Sequence, residues 1–281
     1  MEINFWGVRG SIAAPGSDTA LVGGNTSCVE IRLNDQRIIL DAGTGIRRLG
    51  EHCMRQGCPV NVTLLLSHTH WDHIQGLPFF VPLYLRSTSL HVIGPGTDGM
   101  SLDGVLAHQM TSPVFPVRLA ELPSAITTRQ SLPGDTFQLG NARIRCAKSN
   151  HPGGCLAWRI EADGASIVYA TDTEHYACVD PTLASFARGA DILIYDAQYT
   201  PEEYRGESGP PRVGWGHSTF EAGAALATEA GVSQLVLFHH DPMRTDTAVA
   251  AIEARARPLF ANTVAAREGM SMSLRRLANA A

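Results

Sequence analysis

Apolar residues fall along this chain in short runs separated by turn-forming residues, and the runs change period in a regular way. In the first half, Glu2 to Trp6, Cys28 to Leu33, Arg37 to Leu40 and Val60 to Leu66 have the apolar character of strands, and a helix is expected from Gly45 to Arg55. Leu90 to Ile93 reads as a further strand and Leu102 to Met110 as a helix, followed by strands at Phe137 to Leu139, Ala142 to Lys148, Leu156 to Glu161 and Ser166 to Ala170. The second half alternates helices expected at Pro181 to Ala187, Thr219 to Ala230 and Thr245 to Ala256 with buried strands at Asp191 to Tyr195 and Gln234 to Phe238. No linker, low-complexity tract or short-period repeat divides the chain, so residues 1–281 are read as a single α/β domain of two sheets with helices outside.

Composition changes that picture little. A 281-residue chain with 44% hydrophobic residues can bury a sizeable core, and no window approaches about 18 consecutive apolar residues. The start lacks a basic region followed by an apolar one, so neither a membrane partner nor export is expected and the cytoplasm is the expected location. Six cysteines without a C-x-x-C pair are read as reduced, signalling neither a thiolate zinc site nor a disulfide scaffold. The net charge of −5 argues against a generic nucleic-acid surface, although a local arginine patch could serve a small anion.

The chemistry is concentrated in Ser67-His68-Thr69-His70-Trp71-Asp72-His73, which places three imidazoles and a carboxylate within six residues after an apolar strand. Neutral imidazoles and carboxylates are ligands for zinc or a similar divalent ion. Polar residues end three later apolar strands in the same way: His151 after Ala142 to Lys148, Asp172 after Ser166 to Ala170, and His239 after Leu235 to Phe238. Taken singly each has a bland reading as a turn residue. Together with the cluster they make seven ligands, too many for one tetrahedral ion and suited to two ions sharing a carboxylate, for which Asp172 is the well-placed candidate.

These ordered motifs, His68-Thr69-His70-Trp71-Asp72-His73, His151, Asp172 and His239, resemble the metallo-β-lactamase superfamily over nearly the whole chain. The resemblance implies an αββα sandwich of two mixed sheets with helices on the outer faces and a dinuclear site on one edge. One metal would take His68, His70 and His151 and the other Asp72, His73 and His239, with Asp172 bridging. Zn2+ is the expected ion, with Mn2+ as the alternative. Asp41, in Leu40-Asp41-Ala42-Gly43-Thr44-Gly45, matches the family's first motif, where a carboxylate orients ligands by hydrogen bonds; the other reading is the N-terminal turn of a helix.

Two segments resemble the ribonuclease Z and cyclic-phosphodiesterase branch: Ile194-Tyr195-Asp196-Ala197-Gln198-Tyr199 and Gly216-His217-Ser218-Thr219. Ser218 with Glu221 reads as a capping box that starts a helix, leaving His217 at the loop edge. The functional reading makes His217 a general acid held by Asp196; in the other, the cap alone explains the segment and His217 is incidental. The expected catalytic set is thus Asp72, His217 and Asp196. Only twenty residues separate His151 from Asp172, leaving no room for the RNA-gripping arm of ribonuclease Z, so transfer RNA is not expected as a partner. Gly23-Gly24 reads as a hairpin turn or a phosphate contact, Trp71, Phe79 and Phe80 as pocket walls, and Ser112 to Pro116 as an overhanging loop. His175 and Arg9 are open as substrate contacts. His240 is read as supporting the site or facing solvent, and Gly206 to Gly216 as a surface loop able to act as a lid.

The reading that results is a metal-dependent hydrolase cleaving a small or cyclic phosphodiester through a hydroxide bridging two ions, with a homodimer left open. The alternatives are a lactone, ester or β-lactam hydrolase on the same metals, and a metal-bound sensor module without turnover.

Overall fold

The computed structural model describes residues 1–34, 36–57, 60–96 and 99–274. In the first half, β1 (Glu2–Gly7), β2 (Cys28–Leu33), β3 (Gln36–Leu40), β4 (Asn61–Leu65), β5 (Ser89–Gly94) and β6 (Ala125–Gln130) are interrupted by α1 (Gly45–Gln56), the single turn α2 (Trp71–Ile74) and α3 (Leu102–Gln109). The second half runs β7 (Thr136–Leu139), β8 (Ala142–Ser149), β9 (Cys155–Ala162), β10 (Ala165–Ala170), α4 (Pro181–Ala187), β11 (Ile192–Asp196), α5 (Pro201–Arg205), α6 (Phe220–Ala230), β12 (Gln234–Phe238), α7 (Asp246–Ala256), β13 (Thr263–Ala265) and β14 (Ser271–Ser273).

The strands form two seven-stranded sheets, ordered β14-β1-β2-β3-β4-β5-β6 and β13-β12-β11-β10-β9-β8-β7. Both are mixed: β1 to β3 and β7 to β10 pair antiparallel, while β3 to β6 and β10 to β13 pair parallel. Inner-facing Ile3, Phe5, Ile31 and Leu40 of the first sheet pack against Ile144, Trp158, Tyr169 and Phe238 of the second, giving one core between the sheets. Leu49 and Cys53 of α1 with Leu102 and Leu106 of α3 cover the outer face of the first sheet, and Leu183, Leu226 and Ile252 of α4, α6 and α7 that of the second. The layers are therefore helix, sheet, sheet, helix. β10 and β11 are buried along their whole length because both their faces are covered.

The parallel strands matter for function because their carboxyl ends all open on one edge, where ligands of α/β sheets bind. β3 delivers Asp41 there, β4 the histidine cluster, β10 Asp172, β11 Asp196 and β12 His239. Among the described residues no helix is long and apolar enough to cross a membrane.

Several expectations are corrected. The cap of α6 is Thr219, whose hydroxyl accepts from the Ala222 amide, so the helix begins at Phe220 and there is no Ser218–Glu221 capping box. Ser218 is unavailable because its hydroxyl meets Tyr195 at 3.0 Å and His175 at 2.9 Å. Gly23 lies in the long connection between β1 and β2, where its carbonyl takes the Arg9 guanidinium, and is not the turn of a two-residue hairpin. Phe80 is fully buried beneath α1 as part of the core. Trp71 and Phe79 are exposed; Phe79 meets Phe115 edge to face at 5.8 Å and, as expected of a wall, lines a cavity with Gly23 and Gly24. Cys28, Cys146 and Cys155 are free and buried, Cys178 is free and exposed and Cys53 is buried against the Arg37 guanidinium, whereas Cys58 lies outside the described residues.

Candidate metal centre

Adjacent residues on a strand face opposite ways, and the sequence avoids that at its central motif by changing element. His68 and His70 follow β4, His70 in extended backbone, and α2 starts at Trp71, so Asp72 and His73 sit side by side on one helical turn. Asp41 and His239, each directly after a strand, and Asp172, two residues after one, have φ of 60°, 58° and 48°. Left-handed backbone at three non-glycine residues of one site is conformationally costly and turns each side chain off its strand axis toward the centre.

The hydrogen bonds determine which ring nitrogens are free. Ser67 has one hydroxyl proton, given to Asp41 Oδ2 at 2.8 Å, so it accepts from His68 Nδ1 at 3.0 Å. His73 Nδ1 donates to Asp41 Oδ2, also at 2.8 Å, His239 Nδ1 to Gln198 Oε1 at 2.9 Å and His151 Nδ1 to the Gly216 carbonyl at 2.8 Å. Every one of these four imidazoles is thereby held with its Nε2 facing the centre. His70, at the exposed rim, presents Nδ1, 3.0 Å from His151 Nε2.

The free atoms form two groups. Asp72 Oδ2, His73 Nε2, His239 Nε2 and Asp172 Oδ1 are separated by 3.2 to 3.3 Å wherever a pair is in contact. A tetrahedron with zinc-like bonds of 2.0–2.1 Å has edges of about 3.3 Å. On the other side Asp172 Oδ2 faces His68 Nε2 at 3.6 Å and His151 Nε2 at 3.7 Å, with His70 completing the trio. His68 Nε2 is buried without a hydrogen-bond partner, a condition that a cation would relieve. The donor set therefore fits two divalent ions, with Asp172 offering one oxygen to each group.

Electrostatics agree with that fit. Burial pushes His68, His70 and His151 below the usual imidazole range, which keeps them neutral and able to coordinate. Burial opposes charge at His73 too, but Asp72, Asp172 and Asp41 outweigh it and push that pKa well up. The pocket thus has negative charge in excess and draws a cation. The amide of Ser11 donates to Asp72 Oδ2 at 2.7 Å and holds that carboxylate in place.

At the rim, His217 Nδ1 donates to Asp196 Oδ2 at 2.8 Å, and its ring stacks on His239 with centroids 5.0 Å apart. Burial lowers the His217 pKa, but the charge and hydrogen bond of Asp196 prevail and raise it to about 9. Asp196 is itself fixed by the amides of Thr173 and Gln198. The shorter reach of Asp compared with the related family segment therefore leaves the contact to His217 intact.

Other residues singled out in the sequence have structural places. Arg9 is buried and braces the loops by donating to the carbonyls of Gly23, Asp241 and Arg244. His175 bonds Ser218 and stacks on Tyr204. His240 is buried with Nε2 against the Ala266 carbonyl, so it does not face solvent. Sequence reasoning missed Glu174, whose buried carboxylate accepts from the Tyr204 hydroxyl and the amides of Gly214 and Gly216, anchoring the segment that precedes His217. It also passed over Gln198, whose contact to His239 joins segments 41 residues apart.

Residues 36–240 match the model of the beta-lactamase superfamily domain. The chain belongs to the metallo-β-lactamase superfamily. A ribonuclease Z of Mycobacterium avium is 28% identical to it, covering 88% of this chain and 89% of that protein. Two solved structures share the fold over 98% of this chain: a diphosphatase from the PhnP family, covered over 98% of its length with TM-score 0.68 and 17% identity, and the human tRNase Z short form, covered over 100% with TM-score 0.68 and 16% identity. These likenesses overturn the exclusion of transfer RNA. Net charge is an average over the surface, and Arg143, Arg145 and Lys148 of β8 line one concave surface despite it.

Proposed function

We propose that this superfamily hydrolase cleaves phosphodiesters at a dinuclear centre, with small or cyclic diesters as the favoured substrates. The observation that carries the reading is the pairing of the two donor groups around Asp172 with the His217–Asp196 dyad at their rim. His68, His70 and His151 would hold one ion, Asp72, His73 and His239 the other, and zinc suits this set of imidazoles and carboxylates. Bound there, two divalent ions supply an activated water near neutral pH and charge neutralisation for the phosphate.

The chain's own residues do the rest. Asp41, Gln198 and the Gly216 carbonyl fix the imidazole tautomers, so no reorganisation is needed during the reaction. His217, charged at neutral pH and tethered through Nδ1, has Nε2 left to give a proton to the departing alkoxide. The same acid would also serve the departing alkoxide of a carboxylic ester or lactone, and it is the likeness to ribonuclease Z that favours the diester. Transfer-RNA precursor is the second reading, favoured by the likeness to ribonuclease Z along almost the whole chain.

A substrate panel tests the proposal: the metal-loaded protein is assayed on cyclic nucleotides, a linear dinucleotide, a transfer-RNA precursor, a lactone and a β-lactam. Diester turnover should exceed that of lactone and β-lactam by at least about 100-fold in kcat/KM, or roughly 2.7 kcal/mol in transition-state stabilisation. Efficient lactone hydrolysis without diester cleavage would contradict it, and preference for the RNA would select the second reading.

A further inference from the structure

Arginines around the segment between α5 and α6 are paired with carboxylates: Arg205 with Glu207, Arg244 with Glu203, and Arg255 with Glu202. Arg212 is the exception, having no carboxylate partner among the described residues. Its guanidinium carbon lies 4.4 Å from the ring centre of Trp215 and 5.7 Å from that of Tyr199. Tyr199 in turn meets the His217 ring edge to face at 5.9 Å. Trp215 is half exposed, two residues before His217, and its amide donates to the Arg212 carbonyl at 3.1 Å. The segment is anchored by Glu174 through Gly214 and Gly216.

Stacking engages the flat faces of a guanidinium and leaves the N–H donors around its edge free, in a fork that matches phosphate or carboxylate. Two rings also restrict the side chain before any ligand arrives, which lowers the entropy lost on binding. An uncompensated, preorientated cation one aromatic ring away from His217 has no evident structural task.

We propose that Arg212, stacked on Trp215 and Tyr199 beside His217, binds an anionic group, phosphate or carboxylate, carried by the substrate outside its scissile diester. The inference rests on the phosphodiester reading and deepens it: the preferred substrate carries a second negative charge next to the bond that is cut.

Two measurements test this with the full chain. In the first, kcat/KM is compared for ApA and pApAp, the latter bearing a terminal phosphate on each half, whichever half departs. The parent should prefer pApAp at least 10-fold, Arg212→Met should bring the ratio to within about 3-fold of one, and Arg212→Lys, which keeps charge without the planar stack, should fall between them. An unchanged ratio in Arg212→Met overturns the subsite. In the second, adenosine 5′-monophosphate is titrated calorimetrically into the metal-free protein, where Arg212→Met should weaken Kd at least 10-fold; equal affinities, or no binding by the parent, overturn the subsite. If the parent cleaves neither dinucleotide, the phosphodiester reading is decided by the cyclic nucleotides and transfer-RNA precursor of the substrate panel, and the calorimetry still decides for or against an anion subsite. Thermal midpoint and metal content of the variants show whether they are folded.

Discussion

His217 sits 2.8 Å from the Asp196 carboxylate, and the consequence for catalysis depends on the leaving group. With an alkoxide leaving, His217→Ala should lower kcat by roughly 100- to 10,000-fold, the usual range for a positioned acid. With p-nitrophenolate, which leaves unaided, the loss should stay within about 10-fold. Equal losses on both substrates would make His217 a structural residue. The pH profile gives an independent check: because Asp196 is what holds the His217 pKa up near 9, an acid-dependent rate declines only on the alkaline side. Asp196→Asn should move that decline to lower pH, toward the ordinary imidazole value near 6.5, and an unmoved limb would contradict the pairing. At this scale the sequence was readily legible. Ligand residues cannot be exchanged without losing the chemistry, so His68, Asp172 and His239 stand out at the ends of apolar strands. Glu174, Gln198 and Ser11 do not, because each acts through a contact made only after distant segments fold together.

Among the elements, the long buried strands and amphipathic helices follow from periodicity, and the short or exposed ones escape it. β6 is a half-exposed edge strand, and β13 and β14 have three residues each, held by backbone pairing to β12 and β1 rather than by an apolar pattern of their own. The start of α6 was misjudged by one residue because Ser218, a good cap by type, is engaged by Tyr195 and His175. The connection between α5 and α6 is the element where function and folding meet. Glu174 receives two hydrogen bonds from it and a third from Tyr204 of α5, and Gly216 turns at φ 82°, where an added Cβ would lie 2.4 Å from His151 Nδ1. Glu174→Gln keeps the size but turns an acceptor into a donor facing amides, a loss on the order of 1.5–3 kcal/mol for hydrogen bonds to a buried charge. The thermal midpoint should fall accordingly, and kcat/KM should drop about 10-fold as His151 and His217 lose support. A variant as stable and active as the parent would show that the anchor is dispensable.

For the molecule as a whole, the two sheets share one core, and the site edge is where buried titratable groups collect, so stability and function are linked through pH. Burial holds His240 down to about 3, while in the unfolded chain it titrates near 6.5. Above 6.5 both states are neutral and the fold loses nothing. As pH falls from 6.5 toward 3 the unfolded chain takes up the proton first, and stability should decline by about 1.4 kcal/mol per pH unit from this group. Urea unfolding of the metal-free protein should therefore show a shallower acid loss for His240→Gln, and parallel curves would remove His240 from the explanation. The central claim, that two donor groups joined by Asp172 hold two ions, is tested most directly by elemental analysis of the parent and of Asp172→Ala after reconstitution with Zn2+. Two ions per chain in the parent and loss of both together in the variant are expected, since each oxygen of Asp172 faces a different group. Near-zero metal in the parent, or loss of a single ion in Asp172→Ala, would contradict it.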